Sequence, residues 1–131
     1  MLKFAATVAI ATALLSGAAI AQPVKPTIVL VHGAFADSSS WNGVVINLQK
    51  DGYKTVAVAN PLRSVSNDAG LVSDVIGSIE GPVVLVGHSY GGQIISNAAR
   101  GHDNIKSLVY VAAFAPDSGE SASDLAGKFM K

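Results

Sequence analysis

The chain has 131 residues, half of them hydrophobic and only 14% charged, with a formal net charge of +0. It is too apolar for disorder and, with no basic run, carries no electrostatic footprint for nucleic acid. Cysteine is absent, which excludes disulfides and thiolate metal sites but is compatible with an oxidising compartment.

Met1-Leu2-Lys3 is a short positive start, and Phe4 to Leu15 is apolar or small apart from Thr7 and Thr12. Ala19-Ile20-Ala21 then has the small-x-small form of a cleavage site, so residues 1–21 read as a secretory signal peptide. Cleavage before Gln22 would leave residues 22–131 as one domain, secreted or periplasmic. The apolar run before Ser16-Gly17 is shorter than the ~20 residues of a spanning helix. Pro23 follows with no basic stop-transfer cluster, so no stable membrane insertion is expected after cleavage.

From Thr27 onward, short apolar runs alternate with segments of helical period, the pattern of parallel strands joined by crossover helices. Strands are expected at Thr27–Val31, Thr55–Ala59, Val83–Val86 and Ser107–Phe114, each apolar or β-branched on consecutive positions as in strands covered on both faces. Trp41, Val44, Val45 and Leu48 recur at i, i+3, i+4 and i+7, and Leu71, Val72, Val75, Ile76 and Ile79 repeat that spacing. A third helix starts near Tyr90, turns Ile94, Ile95, Ala98 and Ala99 inward, and stops at Gly101. Ala115 to Gly119 reads as a turn, and Ser121 to Lys131 as the start of a further helix. The fold class is therefore α/β, a doubly wound and mostly parallel sheet of about four strands.

Gly87-His88-Ser89-Tyr90-Gly91 fits G-x-S-x-G, and Gly92 extends it. Alone the string is weak, but it follows a buried strand and opens a helix. In that setting a strained turn lifts a serine hydroxyl above the sheet while glycines leave room for the backbone. Serine becomes a nucleophile only when a base takes its proton, and the carbonyl it attacks develops an oxyanion that needs fixed donors. The Tyr90 amide is one local donor. His32-Gly33-Ala34-Phe35, just past the first strand, is placed to supply the second, from Ala34 or alternatively Phe35. If the second strand lies on one side of the first and the third on the other, the first and third flank the switch point where such sheets bind ligands. Neither G-x-x-x-x-G-K-[ST] nor G-x-G-x-x-G is present, so no phosphate-bearing cofactor is expected, and no metal cluster is legible.

With its H-G-x loop, tryptophan on the next helix and G-H-S-x-G-G, the chain resembles the α/β-hydrolase family, in particular its compact esterase-like and hydroxynitrile-lyase-like members. The resemblance covers Lys25 to about Glu120 and looks like the N-terminal half of the fold. It implies Ser89 as the nucleophile, backbone amides of Ala34 and Tyr90 as the oxyanion hole, and a small-molecule, ester-like substrate. The family orders its triad Ser, acid, His along the chain. Here the only histidine after Ser89 is His102, which follows Gly101 and is expected as a solvated loop residue at the opposite edge of the sheet. His88 is expected to be structural and His32 to brace the oxyanion loop. Asp117, after the last strand, is expected to make a Pro-Asp turn rather than serve as the triad acid.

Nucleophile and oxyanion donors are thus legible while the base is missing, as in a truncated serine hydrolase. The alternatives are a lyase of the same fold, marked by a lysine in the missing half, and an inactive fragment that only binds a ligand or partner.

Overall fold

β1 (Thr27–Val31) is buried at all five positions, which requires cover on both faces. A computed structural model describes residues 24–129, so the segment read as a secretory signal lies outside the described residues. β1 is flanked by β2 (Thr55–Val58) and β3 (Val83–His88), and β4 (Ile105–Val111) pairs with β3, giving a parallel four-stranded sheet in the order β2-β1-β3-β4. The second and third strands do lie on opposite sides of the first, so the C-terminal ends of β1 and β3 adjoin at the switch point.

Side chains alternate between the faces of a strand, and the core divides accordingly. Ile28 and Leu30 pack with Trp41 at the end of a 3-10 helix (Ser38–Trp41) and with Val45 and Leu48 of α1 (Asn42–Lys50). Val29 and Val31, with Val83 and Leu85, pack against Val72 and Ile76 of α2 (Val65–Gly77) and Ile94, Ile95 and Ala98 of α3 (Gly91–Ala98). Ser64 caps α2 by accepting the Asn67 amide at 3.1 Å. After α3 the chain reverses through Gly101 at φ +80°. α4 (Ala122–Phe129) follows the last strand.

Several expectations shift, among them the end of β2, which stops at Val58 rather than Ala59. β3 continues through Gly87 to His88, because β4 pairs with both positions. β4 begins at Ile105 and ends at Val111 rather than spanning Ser107–Phe114. It is also not covered on both faces: Val109 is 40% and Val111 41% exposed, since β4 is the edge strand of the described sheet and one face lacks a helix. α1 contributes no fully buried residue, the deep contact on its side coming from Trp41. No helix among the described residues is long and apolar enough to cross a membrane.

Candidate active site

β3 delivers Gly87 and His88 to the upper edge of the sheet, and the chain turns sharply through Ser89 into α3. Ser89 has φ +52°, a left-handed conformation that costs a non-glycine residue roughly 1–2 kcal/mol. Three close approaches make the turn possible. A Cβ at Gly87 would come 2.5 Å from the Gly91 carbonyl oxygen. One at Gly91 would overlap the Val31 carbonyl oxygen of β1, and one at Gly92 would lie 2.6 Å from the Phe114 carbonyl oxygen. The glycines of the motif are therefore where the helix start meets the strand ends. Ser89 itself is exposed.

The loop after β1 lies directly against this turn. A Cβ at Gly33 would stand 3.1 Å from the Ser89 Cβ and 3.0 Å from His88 Nδ1, so a larger residue there would press on Ser89. Ala34 is exposed beside it. Among the described residues neither the Ala34 nor the Tyr90 amide donates to a protein acceptor, whereas the Ser89 amide donates to the Val111 carbonyl at 3.1 Å. Asp37 then closes the loop, accepting the Ser39 amide at 2.8 Å and its hydroxyl at 2.5 Å. Those two bonds, the hydroxyl's first, hold the Asp37 carboxyl below its ordinary value.

Each histidine is engaged elsewhere. His32 is 2% exposed, with Nδ1 2.8 Å from the Gly33 carbonyl, which braces the loop as expected. The His88 ring meets Trp41 edge-on, centroids 6.5 Å apart. His102 differs from expectation: instead of a solvated loop residue it is half-buried, its Nε2 2.7 Å from the Ser73 hydroxyl of α2. The crossing of α2 over the α3–β4 turn, invisible to local sequence, brings the two together. Asp117 lies in an exposed turn in which its amide donates to Glu120 and its carbonyl accepts the Glu120 amide.

Beside Ser89 opens a cavity of about 480 Å³, walled by Tyr90, Gln93, Ala112, Ala113, Phe114 and Ala122. Ala112 holds φ +43°, so two strained residues, Ser89 and Ala112, sit together at the tips of β3 and β4. Asp68 of α2 escaped the sequence reading. It is fully buried and accepts the Tyr90 hydroxyl at 3.0 Å and the Arg63 amide at 3.2 Å. The signal was available: Asp68, Val72 and Ile76 fall four apart on one helical stripe, and a charge on a buried stripe marks a polar contact.

Residues 28–130 match the model of the alpha/beta hydrolase family. The chain belongs to the alpha/beta hydrolase family. It is similar to a carbendazim-hydrolysing esterase of Nocardioides sp., 36% identical over 117 residues, which cover 78% of this chain and 48% of that protein. A pyrethroid hydrolase of Sphingobium wenxiniae is 31% identical over 99 residues, covering 66% of this chain and 35% of its own. Among solved structures, a polyneuridine aldehyde esterase variant superposes with a TM-score of 0.70 at 28% identity, covering 81% of this chain and 47% of that one. This alpha/beta hydrolase chain thus spans about half the length, or less, of these relatives. Its four parallel strands and flanking helices form part of the α/β-hydrolase fold.

Proposed function

We propose that this chain carries the nucleophile and oxyanion hole of a serine hydrolase acting on small ester-like substrates. The observation that supports it most is Ser89 at φ +52° on a strand–turn–helix corner, with Gly33 packed against its Cβ. Ser89 Oγ attacks the substrate carbonyl carbon as a base accepts its proton. The oxyanion that forms takes hydrogen bonds from the Tyr90 and Ala34 amides, which have no protein acceptor among the described residues. Collapse expels the alcohol, and water releases the acyl group from Ser89 by the reverse route. The names of the relatives, esterase and pyrethroid hydrolase, support ester cleavage of a small molecule. An apolar-walled cavity beside Ser89 is a suitable seat for one arm of it.

None of the three histidines hydrogen-bonds Ser89, so this reading gives none of them the role of base. The chain alone should then be a poor catalyst, and an added base should reveal the nucleophile. Without imidazole, p-nitrophenyl acetate hydrolysis by residues 22–131 is expected to equal that of Ser89→Ala. With imidazole, a Ser89-dependent rate above the Ser89→Ala background is expected, together with a single fluorophosphonate adduct at Ser89 by peptide mapping. Equal rates in imidazole and adducts scattered over other serines would refute the assignment. We also propose that residues 1–21 direct secretion and are removed. Intact mass of the exported protein beginning at Gln22 supports this, and a membrane-retained species carrying Met1 overturns it.

A further inference from the structure

Asp68 has no place in the chemistry just described, yet it is an expensive residue to bury. A carboxylate without water needs several hydrogen bonds to offset its lost hydration. The hydrophobic cluster around it, with Ala69, Val72 and Ile76 on its own helix, would accept an aliphatic side chain at lower cost. Among the described residues its side chain has two partners, the Arg63 amide at 3.2 Å and the Tyr90 hydroxyl at 3.0 Å. Both are neutral donors, and they come from different places. One belongs to the loop that leads into α2, the other to the turn that leads into α3.

Tyr90 is where that contact matters. Its backbone follows Ser89 directly and begins α3, with φ −51° and ψ −34° and no side-chain cap on the helix. Its ring packs on the core while its edge lines the cavity beside Ser89. The hydroxyl bond to Asp68 therefore fixes the ring at its far end, and the ring fixes the backbone from which the free amide projects.

We propose that Asp68 is a positioning residue for the site, holding through the Tyr90 hydroxyl the turn that presents Ser89 and the Tyr90 amide. This rests on the reading of Ser89 as nucleophile and Tyr90 as oxyanion donor. Burial, with the Asp68 bond and charge adding to it, pushes the Tyr90 hydroxyl up to about 12, so it remains a donor throughout the neutral range. A dipole already held in place costs nothing to reorganise when charge develops, which is how a residue that never touches substrate contributes to rate.

The test compares the chain with Asp68→Ala, Asp68→Asn, Tyr90→Phe and Asp68→Ala/Tyr90→Phe, using two readouts. The first is the rate of fluorophosphonate labelling of Ser89 in imidazole. Asp68→Ala and Tyr90→Phe should each slow it by about tenfold or more, the double variant should be no slower than either, and Asp68→Asn, which keeps an acceptor oxygen, should recover most of the rate. The second is the amide resonances of Ser89, Tyr90 and Gly91, which should move in Asp68→Ala and largely return in Asp68→Asn. Wild-type labelling by the folded Tyr90→Phe protein, or resonance changes confined to residues 63–69 in the Asp68 variants, would overturn the proposal. Should Asp68→Ala not fold, Tyr90→Phe and Asp68→Asn carry both comparisons. Should the parent chain show no labelling at Ser89, the reading of the nucleophile fails, while the resonances still decide whether Asp68 sets the turn.

Discussion

The Ser89 amide donates to the Val111 carbonyl at 3.1 Å, tying the strained turn at the tip of β3 to the last residue of β4. The Ser89 carbonyl accepts the Gly92 amide at 3.0 Å, so both polar backbone groups of Ser89 are paired while the residue holds φ +52°. Strain kept by surrounding contacts in this way is expected where a residue serves chemistry rather than stability.

Ser89→Gly should therefore stabilise the fold. Glycine removes the left-handed cost of roughly 1–2 kcal/mol at φ +52°, while giving back about 0.5–1 kcal/mol in unfolded-state entropy. The expected net gain is about 0.5–1 kcal/mol, with Ser89→Ala close to neutral, both read from urea denaturation midpoints. A loss on Ser89→Gly would mean that the turn is not strained.

The same glycine-to-alanine change should have opposite signs at two positions. Gly91→Ala places a Cβ on the Val31 carbonyl oxygen, an overlap with backbone that cannot rotate away, and should cost about 3 kcal/mol or more. Gly70 lies within α2 with nothing within 4 Å of an added Cβ, so Gly70→Ala should gain about 0.5–1 kcal/mol from helix propensity. Thermal melting of both variants checks the contrast, and a tolerated Gly91→Ala would contradict the close approach of α3 to β1.

How much of this was legible depended on whether the cause was local. β1 was readable to the residue because it is apolar on consecutive positions, and the G-H-S-x-G-G turn because its glycines lie beside the residue they make room for. The uncovered face of β4 was not, since Val109 and Val111 look like core in sequence and only the sheet order exposes them. The Ser73–His102 and Asp68–Tyr90 pairs join residues 29 and 22 apart across packed helices. Of these, only Asp68 betrays itself locally, as a charge on an apolar stripe.

Tyr90 also gives stability a specific alkaline limit. Its hydroxyl, ordinarily at 10.0, is raised to about 12 when folded, so above pH 10 the unfolded chain releases a proton that the folded chain keeps. The stability this group contributes is fully present below about pH 10 and is lost as pH rises through about 12. Urea midpoints between pH 9 and 12 should fall more steeply for the parent chain than for Tyr90→Phe, where the step is absent. Parallel profiles would show that neither burial nor the Asp68 contact raises the hydroxyl in the folded chain.

The last expectation concerns the uncovered face of β4. Val109 and Val111 point the same way, two positions apart, and Phe114 beyond them is 40% exposed, so an apolar strip runs along an edge strand. Such an edge presents unpaired backbone groups beside hydrophobic side chains, and β4 carries only Lys106 near its start and no proline to discourage pairing with another chain. Residues 22–131 should associate as concentration rises, which sedimentation velocity reads as an increasing weight-average mass. Val109→Lys puts a charge at the centre of the strip, where the side chain already meets solvent, and should cost no more than about 0.5 kcal/mol in folding stability. Its mass should then stay near that of the monomer over the same range. An unchanged concentration profile in Val109→Lys would mean that association, if present, uses another surface.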